Sequence, residues 1–389
     1  MKNIIQLFKP SLGEEELEAL REIFKIGWIG LGPKTTEFEE RFAEYVGAKY
    51  GVGVNSCTAA LHLTLIAFDI GAGDEVLVSP ITFVSTIHAI LYTHATPVFV
   101  DVEPETLCIS VEDIKKKITN RTKAIIPIHY GGHPCEMDEI VKLAKEKKLI
   151  VIEDSAHACG AEYKGRKVGS ISDATCFSFH AVKNLATGDG GMITTDDPEI
   201  VKKMRRLRWV GIDTDTWQRT QIGEEEIRMG NRKYFTYSWY YEIHEIGYKY
   251  HMNDITAAIG LVQLKKLDQM NAKRRKIVEQ YNEAIGKIKW LTPLIEKPYV
   301  RSAYHNYVIK TPYRDELNLY LKSKGIASGV HYMPVHLHPY YRKKFTANVP
   351  VAEKIWKELL TLPLYPDLSN DEFNYIIDSI KNFEPKEVI

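Results

Sequence analysis

The sequence has no surplus of charge of either sign: 51 Lys and Arg stand against 51 Asp and Glu in 389 residues. A protein that neutralises nucleic-acid phosphates carries a basic excess, so no nucleic-acid partner is expected. Recruitment of a partner by bulk electrostatics is not expected either. Long hydrophobic runs are also missing. Nothing approaches the ~18 uninterrupted apolar residues of a membrane span. The opening MKNIIQLFKPSLGEEELEALREIF lacks the apolar stretch of a signal peptide and turns acidic at Glu14. Cysteine is scarce. Cys57, Cys108, Cys135, Cys159 and Cys176 are odd in number and contain no C-x-x-C pair. That excludes a disulfide framework and a cysteine zinc site, and the expected compartment is a reducing cytoplasm. Neither G-x-G-x-x-G nor a Walker A lysine motif occurs, which demotes nucleotide-dependent dehydrogenases and ATPases.

What is present is the composition of a folded globular chain, 44% hydrophobic and 26% charged. At roughly 150 residues per domain, the length suggests two domains, or a large one with a lobe attached. Over the first half, short apolar runs alternate with amphipathic stretches. The runs are GVGVNS, DEVLVSP, TPVFVDV, KAIIPIHY, LIVIEDS, DATCFSF and GGMITTD. Most are rich in Val and Ile and end in Ser, Asp, Gly or Pro. Such alternation predicts an α/β fold, a mostly parallel sheet with helices on both faces. Residues 209–250, rich in Trp, Tyr, Arg and Gly, read as a long functional loop. A helical stretch beginning near Asn253-Asp254 leads into a second lobe, with strands expected at YHNYVIK and ASGVHYMP and an amphipathic final helix. The expected division is a large domain over 1–252 and a small α+β domain over 253–389.

In an open parallel sheet, ligands bind beyond the carboxyl ends of the strands, so the residues after each run are the candidates. After GVGV come Asn55-Ser56-Cys57-Thr58, opening a helix. Free N–H groups there suit an anion, although an ordinary N-cap explains the same residues. After LIVI come Glu153-Asp154-Ser155-Ala156-His157. A carboxylate at a buried strand end needs a partner, either a cation, a protonated heterocycle nitrogen or the next helix's N–H groups. After FSFH come Lys183 and the glycine-rich Thr187-Gly188-Asp189-Gly190-Gly191. A desolvated lysine forms a Schiff base with an aldehyde, whereas a lone lysine is otherwise a surface charge. Together these three sites suit pyridoxal 5'-phosphate, which needs donors for its phosphate, an acid for its ring nitrogen and an amine for its aldehyde. Phe83 could stack on the ring or be a core aromatic.

These stretches, with Gly27-Trp28-Ile29-Gly30-Leu31-Gly32-Pro33, NSCTAALHL, TFVSTIHAI, GGHPCEMD, VIEDSAHACGA, FSFHAVKNLATGDGGM, GYKYHMNDITAAIGLVQL and HYMPVHLHPYY, resemble the DegT-type nucleotide-sugar aminotransferases over nearly the whole chain. The resemblance implies fold-type I, with a seven-stranded, mostly parallel sheet flanked by helices and a smaller C-terminal α+β domain. It implies that Lys183 bonds to the cofactor and shuttles protons, and that Asp154 pairs with the ring nitrogen. His157 would sit near the ring and its phenolic oxygen. Ser178, Thr58 and the N–H groups of Cys57 and Thr58 would hold the phosphate, and Phe83 would stack on the ring. The family is a homodimer with active sites at the interface. Lys249 stands where relatives often place an Asn on the partner's phosphate site.

The implied reaction is a ping-pong transamination. L-glutamate would convert the cofactor to pyridoxamine 5'-phosphate and leave as 2-oxoglutarate. A nucleoside-diphosphate keto-sugar would then take the amine. His157, His180 and the run WYYEIHEIGYKYHMND look most like relatives that aminate C4 of 4-keto-6-deoxyhexoses. Trp28, Arg219, His305, His331, Tyr332 and His336 are the expected substrate contacts, with packing roles equally open to each. The alternatives are a 3-keto-sugar aminotransferase, a dehydratase on the same scaffold, which Lys183 disfavours, and an inert nucleotide-sugar sensor.

Overall fold

The computed structural model describes residues 4–221, 226–229, 232–235 and 240–385. The seven apolar runs become the seven strands of one sheet. These are β1 (Tyr50–Val54), β2 (Glu75–Val78), β3 (Thr96–Phe99), β4 (Thr122–Ile126), β5 (Ile150–Asp154), β6 (Ala174–Ser178) and β7 (Gly191–Thr195). Their spatial order is β1-β7-β6-β5-β4-β2-β3. Strands β6, β5, β4, β2 and β3 pair in parallel, and β7 runs antiparallel to both β1 and β6. Val- and Ile-rich runs suit this sheet because both of its faces are covered. Strand β6, for example, is buried at every position.

The helices follow from local signals. α1 (Pro33–Val46) has proline in its first turn and ends on left-handed Gly47. α2 (Cys57–Ala67) starts where Ser56 Oγ accepts the Ala59 N–H at 3.1 Å. It is apolar on nearly every side and correspondingly buried. α3 (Val84–Tyr92) follows β2, and α4 (Met137–Lys147) precedes β5. One core packs Val52, Ile152, Cys176 and Ile193 under α2 and α3. The opposite face packs Leu77, Ile125 and Val151 against Ile140 and Leu143 of α4.

The long helix α5 (Asp254–Ile285) serves two cores. Its Ala257 and Leu267 pack with Phe38, Phe42, Phe177 and Phe179. Its Ile277, Val278, Tyr281 and Ile285 pack with Tyr307, Ile309, Leu360 and Leu362. These last residues lie on the antiparallel pair β8 (Tyr307–Lys310) and β9 (Leu359–Leu362). Ile5 joins the same small core through a bridge to Ile326, so the first described residues cross into that lobe. The start of α5 is tied back to α1. Asp254 accepts the Thr35 N–H and hydroxyl at 2.9 and 2.8 Å and the Lys34 N–H at 3.1 Å. A carboxylate at a helix N-terminus satisfies first-turn donors and the dipole together.

Two expectations are corrected. ASGVHYMP is not a strand. It meets the small sheet only at a Gly329–Thr361 bridge and a 2.8 Å bond from His331 Nδ1 to Thr361 Oγ1. The chain then leaves the small sheet, and Tyr332 packs against the core of the seven-stranded sheet. Residues 209–250 are not simply a loop either. They contain a short helix, Thr216–Gln221, and a paired Glu226–Met229 and Arg232–Phe235.

Candidate active site

A cavity of about 370 Å³ opens at the carboxyl ends of β1, β2, β5 and β6, where a parallel sheet exposes its loops. Ser56, Cys57 and Thr58 line it from the start of α2, and Thr82, Phe83 and Thr86 from the start of α3. Asp154 and His157 enter after β5, and Ser178 and Lys183 after β6. His331 and Tyr332 close it from the small lobe. Pairing of Asp154 with Cys176 in register sets the β5 and β6 ends side by side.

Asp154 is buried. Its Oδ2 accepts the Thr86 hydroxyl at 2.7 Å, and its Oδ1 accepts the Ala156 N–H at 3.1 Å. Thr86 Oγ1 is 2.8 Å from Thr82 Oγ1, one turn away on the same helix start. Since Thr86 gives its proton to Asp154, Thr82 donates to Thr86. Burial pushes the Asp154 carboxyl above the usual aspartate range, while these bonds and the Lys183 cation pull it back. A carboxylate that is raised yet still facing a cavity gains by meeting a cationic ring nitrogen there.

Lys183 is the corresponding amine. Burial pushes its pKa down to about 8, and the Cys57 and Asp154 groups pull the other way. An amine there is partly neutral near physiological pH, as a nucleophile must be. Its Nζ lies 3.4 Å from His305 Nε2. His157 packs its ring 4.5 Å from His305, and its Nε2 lies 3.3 Å from the Tyr332 hydroxyl. Burial and the Lys183 and His331 charges push its pKa well below the imidazole range. Its buried Nδ1 has no hydrogen-bond partner among the described residues.

The opposite end is built for an anion. The first-turn N–H groups of Cys57 and Thr58 have no acceptor inside their own helix. Ser178 lines the same cavity, with its Oγ 3.4 Å from the His180 N–H. Gly191 has no room for a side chain: a Cβ would fall 2.6 Å from Ser56 C and 2.8 Å from Cys57 N. Glycine thus lets β7 lie directly against the turn into α2. An acid, an amine, an unpartnered buried imidazole nitrogen and an anion cradle on one cavity match what pyridoxal phosphate requires.

The other sequence candidates scatter. Phe83 lines the cavity but is 60% exposed, with its ring 6.1 Å from that of Tyr332. His331 and Tyr332 line it too, whereas His305 lies buried behind Lys183 and is not in the lining. His336 is away from the cavity, buried with Nε2 3.0 Å from Glu353 Oε1, because its ring fills space beside Phe99. Lys249 Nζ sits 3.3 Å over the Trp209 ring, outside the cavity lining. Trp28 packs on Trp217 at 5.0 Å, and Arg219 lies over Tyr241 at 4.9 Å, both outside the lining. Thr86, Thr82, Tyr130, Asn184 and Phe8 were not singled out from sequence. The i, i+4 threonines after β2 were the one legible signal among them.

Comparison with known proteins agrees with this geometry. A model of the DegT/DnrJ/EryC1/StrS aminotransferase family matches residues 10–381. The Bacillus subtilis spore coat polysaccharide biosynthesis protein SpsC is 44% identical over 384 residues, covering 96% of this chain and 95% of its own. The aminotransferase TlmJ of Streptoalloteichus hindustanus superposes with a TM-score of 0.88 at 34% identity, covering 97% of this chain and 98% of its own. Spr1654 of Streptococcus pneumoniae, solved in its PMP form, gives a TM-score of 0.88 at 33% identity over 97% and 98% of the two chains.

Proposed function

Because the chain belongs to the DegT/DnrJ/EryC1/StrS aminotransferase family and is a pyridoxal-phosphate-dependent sugar aminotransferase, we propose that it aminates C4 of a nucleotide-linked 4-keto-6-deoxyhexose with L-glutamate as donor. The observation that supports the transamination chemistry is the joint placement of Asp154 and Lys183 on one cavity, with Lys183 pushed down to about 8.

When bound, the cofactor supplies an aldehyde and a ring that draws electrons from the carbon bearing the amine. Asp154 holds the ring nitrogen's proton in place by its charge. Lys183 presents Nζ first as nucleophile and then as the proton carrier of each half-reaction. His157, whose buried Nδ1 has no partner among the described residues, would offer an imidazole nitrogen to the phenolic oxygen. Cys57 and Thr58 N–H groups, with the Ser178 and Thr58 hydroxyls, take the phosphate. Phe83 would cover the ring, and Tyr332 and His331, on the same lining, would shape the sugar side. Trp28 and Arg219, outside this lining, are kept as proposed substrate contacts.

A homodimer completes this reading. Phe83 on the cavity lining is 60% exposed in the single chain, and Ile243 and Ile246 on the 209–250 segment are 66% and 92% exposed, apolar surface that a second copy would cover. Lys249 then serves the partner's phosphate site. The C4 position is supported by the pattern around His157, where C3-specific relatives more often carry Gln.

The test is incubation of holoenzyme with glutamate and a panel of 4-keto and 3-keto nucleotide sugars, with products read by mass spectrometry and NMR. An amine at C4 is expected. An amine at C3 would overturn the position, and loss of water without glutamate would overturn the transfer itself.

A further inference from the structure

Behind Lys183 lies a chain of side chains to which the reaction above gives no part. His305 Nε2 is 3.4 Å from Lys183 Nζ, and His305 Nδ1 is 3.1 Å from Asn184 Oδ1. Asn184 Nδ2 donates to Asn271 Oδ1 and to the Ala303 carbonyl, at 2.8 Å each. Asn271 Nδ2 donates to the Cys159 carbonyl at 3.0 Å. His305, Asn184 and Asn271 are all buried.

Two backbone carbonyls give this chain a direction. A carbonyl oxygen only accepts, so the amide nitrogens of Asn271 and Asn184 must face Cys159 and Ala303. Their Oδ1 atoms are then the acceptors at the other ends, an assignment that follows from the network. His305 Nδ1 must therefore carry a hydrogen to meet Asn184 Oδ1. A neutral imidazole has only one N–H, which leaves the Nε2 lone pair facing Lys183. The ring does stay neutral. Burial, then the charges of Lys183, His157, Arg274 and His331, hold its pKa well below the usual imidazole value. Asp154 and Cys57 are the other groups acting on Lys183. Phe8 stacks on the ring at 5.1 Å and His157 packs at 4.5 Å, which fixes its plane.

We propose that Asn184 and Asn271 are positioning residues that lock His305 in its Nδ1–H form, so that Nε2 accepts a hydrogen from Lys183 and the amine's lone pair stays free toward the cavity. The opposite tautomer would aim Nε2–H at Nζ and occupy the lone pair that makes the amine a nucleophile and a base. This inference rests on Lys183 being the reactive amine of the proposed function.

Two measurements on the cofactor-free full chain test it. Long-range proton–nitrogen NMR of histidine-labelled protein, assigned with His305→Gln, should show His305 protonated at Nδ1. A proton on Nε2 overturns the proposal. The second measurement is the rate at which Lys183 couples to added pyridoxal phosphate, trapped by borohydride and located by peptide mapping. Asn184→Leu should slow coupling by about fivefold, the scale of one lost hydrogen bond between neutral groups. Asn184→Asp keeps an acceptor for Nδ1–H but loses the donor to Ala303 and Asn271, and should recover only part of the rate. Equal rates in Asn184→Leu and wild type contradict the proposal. If no label reaches Lys183 in wild type, the functional reading fails instead, and the tautomer is still decided by NMR. Since NMR uses the wild-type chain, a variant that does not fold leaves the test intact.

Discussion

Glu153 and Asp154 are consecutive carboxylates at the end of one buried strand, and their surroundings differ completely. Alternation along the strand sends them to opposite faces. Glu153 is saturated. Its Oε2 is 2.7 Å from His129 Nε2, and its Oε1 accepts hydroxyls from Ser172 at 2.6 Å and Thr175 at 2.9 Å. The Cys135 N–H donates to His129 Nδ1 at 3.1 Å, so His129 carries its proton on the nitrogen facing Glu153. Asp154 has one hydroxyl and one N–H, and a cavity with a lysine in front of it. A saturated carboxylate holds a fold together, whereas one left partly unanswered at a cavity is available to a ligand.

Substitutions should separate the two roles. Glu153→Ala leaves His129, Ser172 and Thr175 without their acceptor and should destabilise the protein by about 3–5 kcal/mol in urea unfolding. A loss below about 1 kcal/mol would mean the network is not structural. Asp154→Asn should instead leave unfolding nearly unchanged and lower transamination by about a hundredfold or more, as loss of a preorganised charge at a reacting centre does. Equal damage to stability from both would erase the contrast.

Lys183 sharpens the comparison from the other side. Its folded pKa, about 8, lies below the ordinary 10.5, so the fold disfavours the charged amine. Below about pH 8 both states hold the proton and the full cost of burying it is present. Between 8 and 10.5 the unfolded chain keeps a proton that the folded one has released, so stability rises with pH. Lys183→Met should therefore stabilise the cofactor-free protein by about 3 kcal/mol at neutral pH, with the advantage shrinking as pH rises. A constant difference between pH 7 and 9.5 would contradict the buried-amine account. The smallest effect is expected at Thr86→Val. Losing one hydroxyl donor to Asp154 should weaken binding of added pyridoxal phosphate by about 1 kcal/mol, or several-fold. No change would remove Thr86 from the site.

The sheet was legible because its strands are short Val- and Ile-rich runs with buried faces, and all seven apolar runs became strands. That Asp154, Lys183 and the Ser56–Thr58 turn would share one cavity was legible because a parallel sheet opens its loops beyond the strand ends, whereas Ser178 entered only through the family resemblance. His336 and the ASGVHYMP segment misled for one reason. An aromatic or β-branched residue looks the same in sequence whether it packs a core, pairs in a sheet or faces a cavity. Thr86, Asn184 and Asn271 were not legible. Their roles depend on partners such as Asp154 and His305, distant in sequence and brought close only by the fold.

The most direct test of the account is the visible spectrum of purified protein titrated with pyridoxal phosphate, wild type beside Lys183→Ala. The expected result is an absorption band in wild type that borohydride abolishes, leaving the label on Lys183, and no such band in Lys183→Ala. A wild-type protein that gains no band, or a Lys183→Ala protein that gains the same one, would contradict it.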